Sequence, residues 1–140
     1  MARAKKSKVA EVQPNPVLDT DVDAFDFFIQ HWQGVLNLRN WRIVRSHKRD
    51  PKNLASIESI EHEHHIATYQ VGVDFGKSTK VTPKTLESTA IHELLHILLS
   101  ELVTEAIAQG EENEVTLACE HSVILLLEKL LQDAYGIAKD

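Results

Sequence analysis

The sequence predicts an α+β fold, in which a small antiparallel sheet packs on two long C-terminal helices and one N-terminal helix. The main observation is the position of the two kinds of apolar periodicity. Alternation of apolar and polar residues, which is typical of strands, is confined to residues 40–76, and helical spacing lies on either side of it. The 140 residues are enough for one domain with a modest core.

The first helix is predicted over residues 21–33, because aspartates crowd its start and a glycine follows its end. Its apolar residues recur at helical spacing, and they are Val22, Phe25, Phe28, Ile29 and Trp32. Residues 1–17 precede it, with basic residues at their start and with Pro14 and Pro16 at their end. We expect this segment to be a disordered basic tail and the domain to span residues 18–140.

Three strands are predicted next. Residues 40–48 and 54–62 alternate weakly and are separated by a turn, whereas residues 65–76 show the clearest alternation. The apolar face of this third strand comprises Ala67, Tyr69, Val71, Val73 and Phe75. Its opposite face is polar and includes Gly72, so the strand has one face for the core and one for solvent.

Two long helices end the chain. Thr82 can cap a helix that starts at Pro83 and continues without a breaker to Gln109, where Gly110 favours a stop. Residues 111–136 form the second predicted helix, and its first residues are acidic, which suits the positive end of a helix. Because only a short turn joins the two helices, we expect them to pack side by side.

Composition and charge narrow the class of protein. The chain is 43% apolar and 26% charged, as ordinary globular proteins are, and no apolar run is long enough to span a bilayer. Four of the 15 basic residues and one of the 21 acidic residues lie in the tail, so residues 18–140 carry a net charge of -9. We therefore expect neither nucleic acid as the main ligand nor a membrane as a partner. No apolar segment follows the basic N-terminus, and Cys119 is the only cysteine, so a cytoplasmic location is expected.

The segment STAIHELLHILLSEL, residues 88–102, places polar groups inside an apolar helix. His92 and His96 are four residues apart and therefore project from the same side of the helix. Burying two imidazoles costs hydration free energy unless something compensates, and one zinc ion within reach of both would do so. Glu93 is turned by about 100° from them, so it can take a proton from a metal-bound water instead of binding the metal. We predict a zinc site with Glu93 as general base.

This HELLH motif, with the strand ATYQVGVDFG before it and a helix carrying glutamates after it, resembles the minimal zincin metallopeptidases of the gluzincin type. It is similar, more loosely, to small metallopeptidases encoded by bacteriophages and prophages. The likeness covers roughly residues 35–130 and implies a zinc hydrolase that cuts a peptide or protein substrate, with Glu93 as the catalytic base. It also implies that an edge strand binds the peptide, and we expect residues 65–76 to be that strand, with Gly72 leaving room for another backbone.

The third zinc ligand is expected on the last helix, because this chain lacks the glycine and third histidine of the longer metzincin motif. The candidates there are Glu111, Glu112, Glu114, Glu120, His121 and Glu128. Glu120 is preferred, since two helices that fold back on each other carry it to the depth of His96. Glu112 is the next choice, and His121 stays open as a ligand or as a hydrogen-bond donor to the reacting group.

The same residues allow other interpretations. One is a zincin-fold module that binds a peptide or protein without cutting it, and another is a helical protein without metal. The intact Glu93 favours the enzyme, because a structural zinc site has no need of that carboxylate, whereas the small size of the chain favours the module. The run EHEHH, residues 61–65, is interpreted as a solvated strand end or turn and not as a second zinc site.

Overall fold

The computed structural model describes residues 15–74, 80–110 and 113–139. Its elements in chain order are α1 (Asp19–Val35), β1 (Arg42–Asp50), β2 (Ala55–Glu61), β3 (Ile66–Gly72), α2 (Pro83–Ala108) and α3 (Asn113–Tyr135). The α+β class, the small sheet, the N-terminal helix and the two long C-terminal helices are confirmed. No helix among the described residues is long and apolar enough to cross a bilayer.

The folded domain starts before the predicted boundary at residue 18. Residues 1–14 lie outside the described residues, but Val17 is 7% exposed and belongs to the core. Its amide donates a hydrogen bond to the Val73 carbonyl at 3.0 Å, and Pro16 forms a bridge with Asp74. The chain just before α1 is therefore fixed to the chain that follows β3.

The sheet is mixed and not wholly antiparallel. Its strand order is β1–β3–β2, with β2 antiparallel to β3 as predicted and β1 parallel to β3. The difference arises because the link between β1 and β2, residues 51–54, passes over the end of β3 instead of turning back beside β1. Strands lie about 4.8 Å apart, so four residues easily span two strand spacings. β3 is consequently the central strand, and β2 is an edge strand.

Gly72 ends β3 beneath this link, and the link explains why no side chain stands there. A Cβ atom on Gly72 would lie 2.1 Å from the Asn53 carbonyl oxygen and 2.9 Å from that of Leu54. The Gly72 amide also donates to the Leu54 carbonyl at 2.7 Å. The backbone that comes close to Gly72 is thus the protein's own, which corrects the expectation that this glycine makes room for a bound peptide.

We expect Gly72→Val to destabilise the whole domain. The added side chain must push the link between β1 and β2 aside, and overpacking of this kind costs about 1–3 kcal/mol or more in free energy of unfolding. Urea denaturation measures the loss. Gly34→Ala is the matched control, because a Cβ on Gly34 meets the Arg39 side chain at an ordinary contact distance of 3.4 Å. A wild-type midpoint for Gly72→Val would contradict the packing described here.

Asp50 holds the same link from the end of β1. Its buried carboxylate accepts hydrogen bonds from the Ser56 hydroxyl, from the amides of Lys52 and Asn53, and from the Asn53 side chain. These bonds, with that of Ser56 foremost, hold the pKa of Asp50 well below its ordinary value, although burial acts in the opposite direction. The start of β2 is therefore anchored by an ionised carboxylate.

The helices are unequal in burial. α2 contacts α1, α3 and β2, and its buried residues include Ile91, Leu94, Leu95 and Ile97. α3 has Ile124 as its one buried residue among those described. Large apolar side chains of α3 that are about half exposed are Val115, Leu117, Val123, Leu125, Leu126 and Leu130. α3 thus covers one side of α2 and leaves much of its own apolar surface open.

Glu87 on α2 is a buried carboxylate that the sequence analysis does not identify. It is 1% exposed, and its Oε2 accepts hydrogen bonds from the Trp32 indole at 3.1 Å and from the Ile137 amide at 2.9 Å. It therefore joins α1, α2 and the segment after α3. Because these donors satisfy its carboxylate, Glu87 has a structural explanation.

Candidate metal centre

Three histidines from two helices meet beside the edge strand β2. His92 and His96 lie one turn apart on α2, and His121 lies on α3. One potential ligand atom from each of the three lies within 4.8 Å of the other two. The ring centroid of His92 is 5.0 Å from that of His96 and 5.5 Å from that of His121. No other group of histidine, cysteine and carboxylate side chains converges in this way within the part of the chain that the structure describes.

Each histidine of α2 is held by a carboxylate of α3. Glu128 Oε2 lies 2.8 Å from His92 Nδ1, and Glu120 Oε1 lies 2.7 Å from His96 Nδ1. When Nδ1–H donates to a carboxylate, Nε2 is the nitrogen left free on each ring. Carboxylates in this position fix the tautomer and the orientation of metal-binding histidines. Both rings are thus prepared to present Nε2 to an ion.

The same contacts change the protonation of His92. Its hydrogen bond to Glu128 raises the pKa of His92 above the ordinary value, and burial of the ring acts in the opposite direction. A histidine binds a metal only in its neutral form, so protons and a metal ion compete for this ring.

Glu120, the preferred third ligand from the sequence, reaches the site but not the converging set. Its side chain is only 9% exposed, and it binds His96. The residue of α3 that converges with His92 and His96 is His121. Glu112, the next choice, lies outside the described residues.

The rotation of α3 about its axis decides between these neighbours. Glu120 and His121 are consecutive, and consecutive residues of a helix point about 100° apart. His121 reaches the converging position although α2 does not end early. α2 continues to Ala108, and Gly110 follows with a positive φ of 88°, as the sequence predicts.

Glu93 is buried next to the histidines. It is 6% exposed, and burial raises the pKa of Glu93 to about 7, while the neighbouring His92 acts to lower it. Its carboxylate accepts a hydrogen bond from the backbone amide of Ile57 on β2. A carboxyl group with a pKa near neutrality is suited to both taking up and releasing a proton at physiological pH.

An open cleft of about 620 Å³ runs between β2 and the two long helices. His92, Glu93, His96 and His121 all line it. The residues of β2 along it are Ala55, Ser56, Ile57, Glu58, Ser59 and Ile60. The sequence-based choice of cleft strand was therefore wrong, because β3 is the central strand of the sheet and β2 is the edge strand beside the histidines.

The run EHEHH forms the turn between β2 and β3, as the sequence predicts. Glu61 ends β2, and His65 has a left-handed backbone with φ 52° before β3 starts. His65 stacks on Trp41 with ring centroids 4.9 Å apart. His62 lines the cleft, and its Nε2 lies 2.9 Å from the Ser100 hydroxyl oxygen. These histidines are occupied with packing and hydrogen bonding to their neighbours.

The three converging nitrogens suit zinc by their chemistry. Catalytic zinc takes three protein ligands and one water in tetrahedral geometry, with Zn–N distances of about 2.0–2.1 Å. Ligand nitrogens around such an ion are separated by about 3.3 Å, so separations of up to 4.8 Å need a contraction of at most about 1.5 Å. The ring of His121 is exposed, so its side chain has room to rotate toward the other two rings.

Comparisons of the chain with protein-family models, with curated proteins and with solved structures returned no significant match. The resemblance to zincins therefore depends on the HELLH motif itself and on the groups that surround it.

Proposed function

We propose that this protein is a zinc-dependent metallopeptidase, with His92, His96 and His121 as zinc ligands. The observation that carries the proposal is that these histidines and a buried Glu93 line one open cleft beside an edge strand. Zinc bound there would supply a Lewis acid for the peptide carbonyl and acidify a bound water. The assignment of His121 replaces Glu120 as the third ligand.

The remaining groups of the cleft have separate roles in this proposal. Glu93 accepts a proton from the attacking water and delivers it to the leaving amine, a role that suits a buried carboxylate next to His92 in the cleft. Glu120 and Glu128 do not touch the substrate. They orient His96 and His92 through their Nδ1 atoms and are positioning residues.

The substrate in this proposal is a peptide or protein segment in extended conformation. β2 is an edge strand and lines the cleft, so its backbone can pair with a further strand. Nucleic acid is not proposed as the main ligand, because residues 18–140 carry a net charge of -9. A membrane is not proposed as a partner either, because no apolar run of the sequence is long enough to span a bilayer. We also propose a cytoplasmic location, which the single free Cys119 supports. Kinship with small phage metallopeptidases belongs to the same proposal and rests on the HELLH motif.

A binding module that does not cut its ligand is the second candidate. A groove of about 400 Å³ between α2 and α3 favours it. Apolar residues of the groove are Leu99, Leu102, Val103, Ala106, Val115 and Val123. Leu102 is 68% exposed and Val115 is 54% exposed, and apolar surface of this kind is common where proteins meet. In this alternative zinc would only stabilise the packing of α2 against α3.

Metal analysis combined with a cleavage assay tests the proposal. We expect about one zinc per chain in protein purified without chelator, and a higher melting temperature with zinc than after its removal. A denatured protein substrate should be cut by the zinc form, not by the chelated form, and again after zinc is restored. Zinc binding without cleavage would instead favour the binding module. A chain that neither holds zinc nor gains stability from it would rule out the zinc hydrolase.

A further inference from the structure

Glu58 is set apart from the rest of the edge strand by a break in its register. Ile57 pairs with Tyr69 and Ser59 pairs with Thr68, so Glu58 has no partner residue on β3. Such bulges turn a side chain out of the regular alternation, and they are common beside active sites. Glu58 lines the same cleft as the histidines. The bulge thus places a carboxylate in the wall along which a peptide would lie.

The Glu58 carboxylate has no hydrogen bond or ion pair with any residue that the structure describes. The other carboxylates that line the cleft are engaged, since Glu93 binds the Ile57 amide and Glu120 binds His96. Glu58 is exposed to solvent. Its charge is therefore available to a ligand.

No lysine or arginine of the described residues lines the cleft to oppose this charge. The lining includes Glu58, Glu93 and Glu120 and contains no lysine or arginine. Glu128 adds a fourth carboxylate next to His92. When Glu58, Glu120 and Glu128 are ionised, their three negative charges exceed the charge of one divalent ion even without Glu93, so the cleft attracts positive side chains with the metal bound.

We propose that Glu58 selects a lysine or arginine side chain in the peptide that occupies the cleft. The inference rests on the proposed function and names the class of peptide that the same site prefers. The selected side chain lies close to the bond that is cut, because Ile57 donates to Glu93 and Glu58 is the next residue, about 3.4 Å farther along the strand.

A peptide series with one varied position tests the selection. Peptides that carry lysine, arginine, glutamine or glutamate near the scissile bond are compared by kcat/KM. We expect the wild type to prefer lysine over glutamine about fivefold, the range of an exposed ion pair, and to lose most of this preference at 1 M salt. Glu58→Gln should abolish the preference, and Glu58→Lys should shift it toward the glutamate peptide.

Glu63→Gln is the matched control, because Glu63 lies in the turn after β2 and does not line the cleft. It should keep the wild-type ratio of lysine to glutamine. Equal ratios in wild type and Glu58→Gln, with cleavage intact, would overturn the inference and leave the hydrolase proposal standing. Absence of any cleavage counts against the hydrolase alone. The same peptides are then compared by binding, where a lysine preference lost in Glu58→Gln supports the inference and a missing preference overturns it.

Discussion

Replacing His121 by alanine is expected to lower zinc affinity more than about 100-fold, as His92→Ala and His96→Ala should. Each of these substitutions removes one of three nitrogens that converge within 4.8 Å. A carboxylate that only orients a ligand contributes less, typically 10–100-fold in affinity. Glu120→Ala and Glu128→Ala should therefore lower the affinity for zinc by that smaller factor. Competition with a chromophoric chelator measures all five variants on one scale.

Glu120→Gln separates the two possible roles of that residue. A glutamine carbonyl can still accept the Nδ1–H of His96 over the present 2.7 Å, but it replaces a carboxylate ligand poorly. We expect Glu120→Gln to keep most of the zinc affinity. If it loses as much as His92→Ala while His121→Ala binds zinc normally, Glu120 is the third ligand and His121 is not.

Glu93→Gln is expected to keep zinc and to lose about 10²–10⁴-fold in kcat/KM for peptide hydrolysis. The glutamine has nearly the shape of the glutamate and can still accept the Ile57 amide, so the cleft should remain intact. It cannot take up the proton of the attacking water. Zinc content and turnover measured on the same sample distinguish the loss of a base from the loss of the metal.

Glu101→Gln serves as the control for this substitution. Glu101 stands on the same helix and is exposed, and its Oε1 lies 3.7 Å from His65 Nε2. Glu101→Gln should leave both the zinc content and the turnover at wild-type levels. If Glu93→Gln hydrolyses peptides as fast as the wild type, the proton must go to another group and Glu93 has no part in the chemistry.

The sequence alone determined the features that depend on neighbouring residues. The α2 helix starts where Thr82 caps the Thr85 amide and stops before Gly110, because capping and glycine geometry are decided within one turn. The common side of His92 and His96 follows from helical spacing in the same way. Burial of Glu93 follows from the apolar residues that surround it in the chain.

Only the tertiary structure decided which distant groups meet these residues. The apolar alternation of β3 is equally compatible with an edge strand and with the central strand of the sheet. The link over Gly72 makes β3 the central strand and places β2 at the edge, beside the cleft. Likewise, Glu120 and His121 are neighbours on α3, so both lie at about the same position along the helix axis as His96. Its rotation against α2 gives the converging position to His121 and leaves Glu120 to hold His96.

The physical reason is the range of the interactions involved. Periodicity, capping and turns arise from contacts within about four residues, so they can be predicted from the sequence. Strand order, the bulge at Glu58 and the rotation of α3 minimise the free energy of packing between segments that are far apart in sequence. A shift of one residue in any of them changes which side chain enters the cleft, with little change in local pattern.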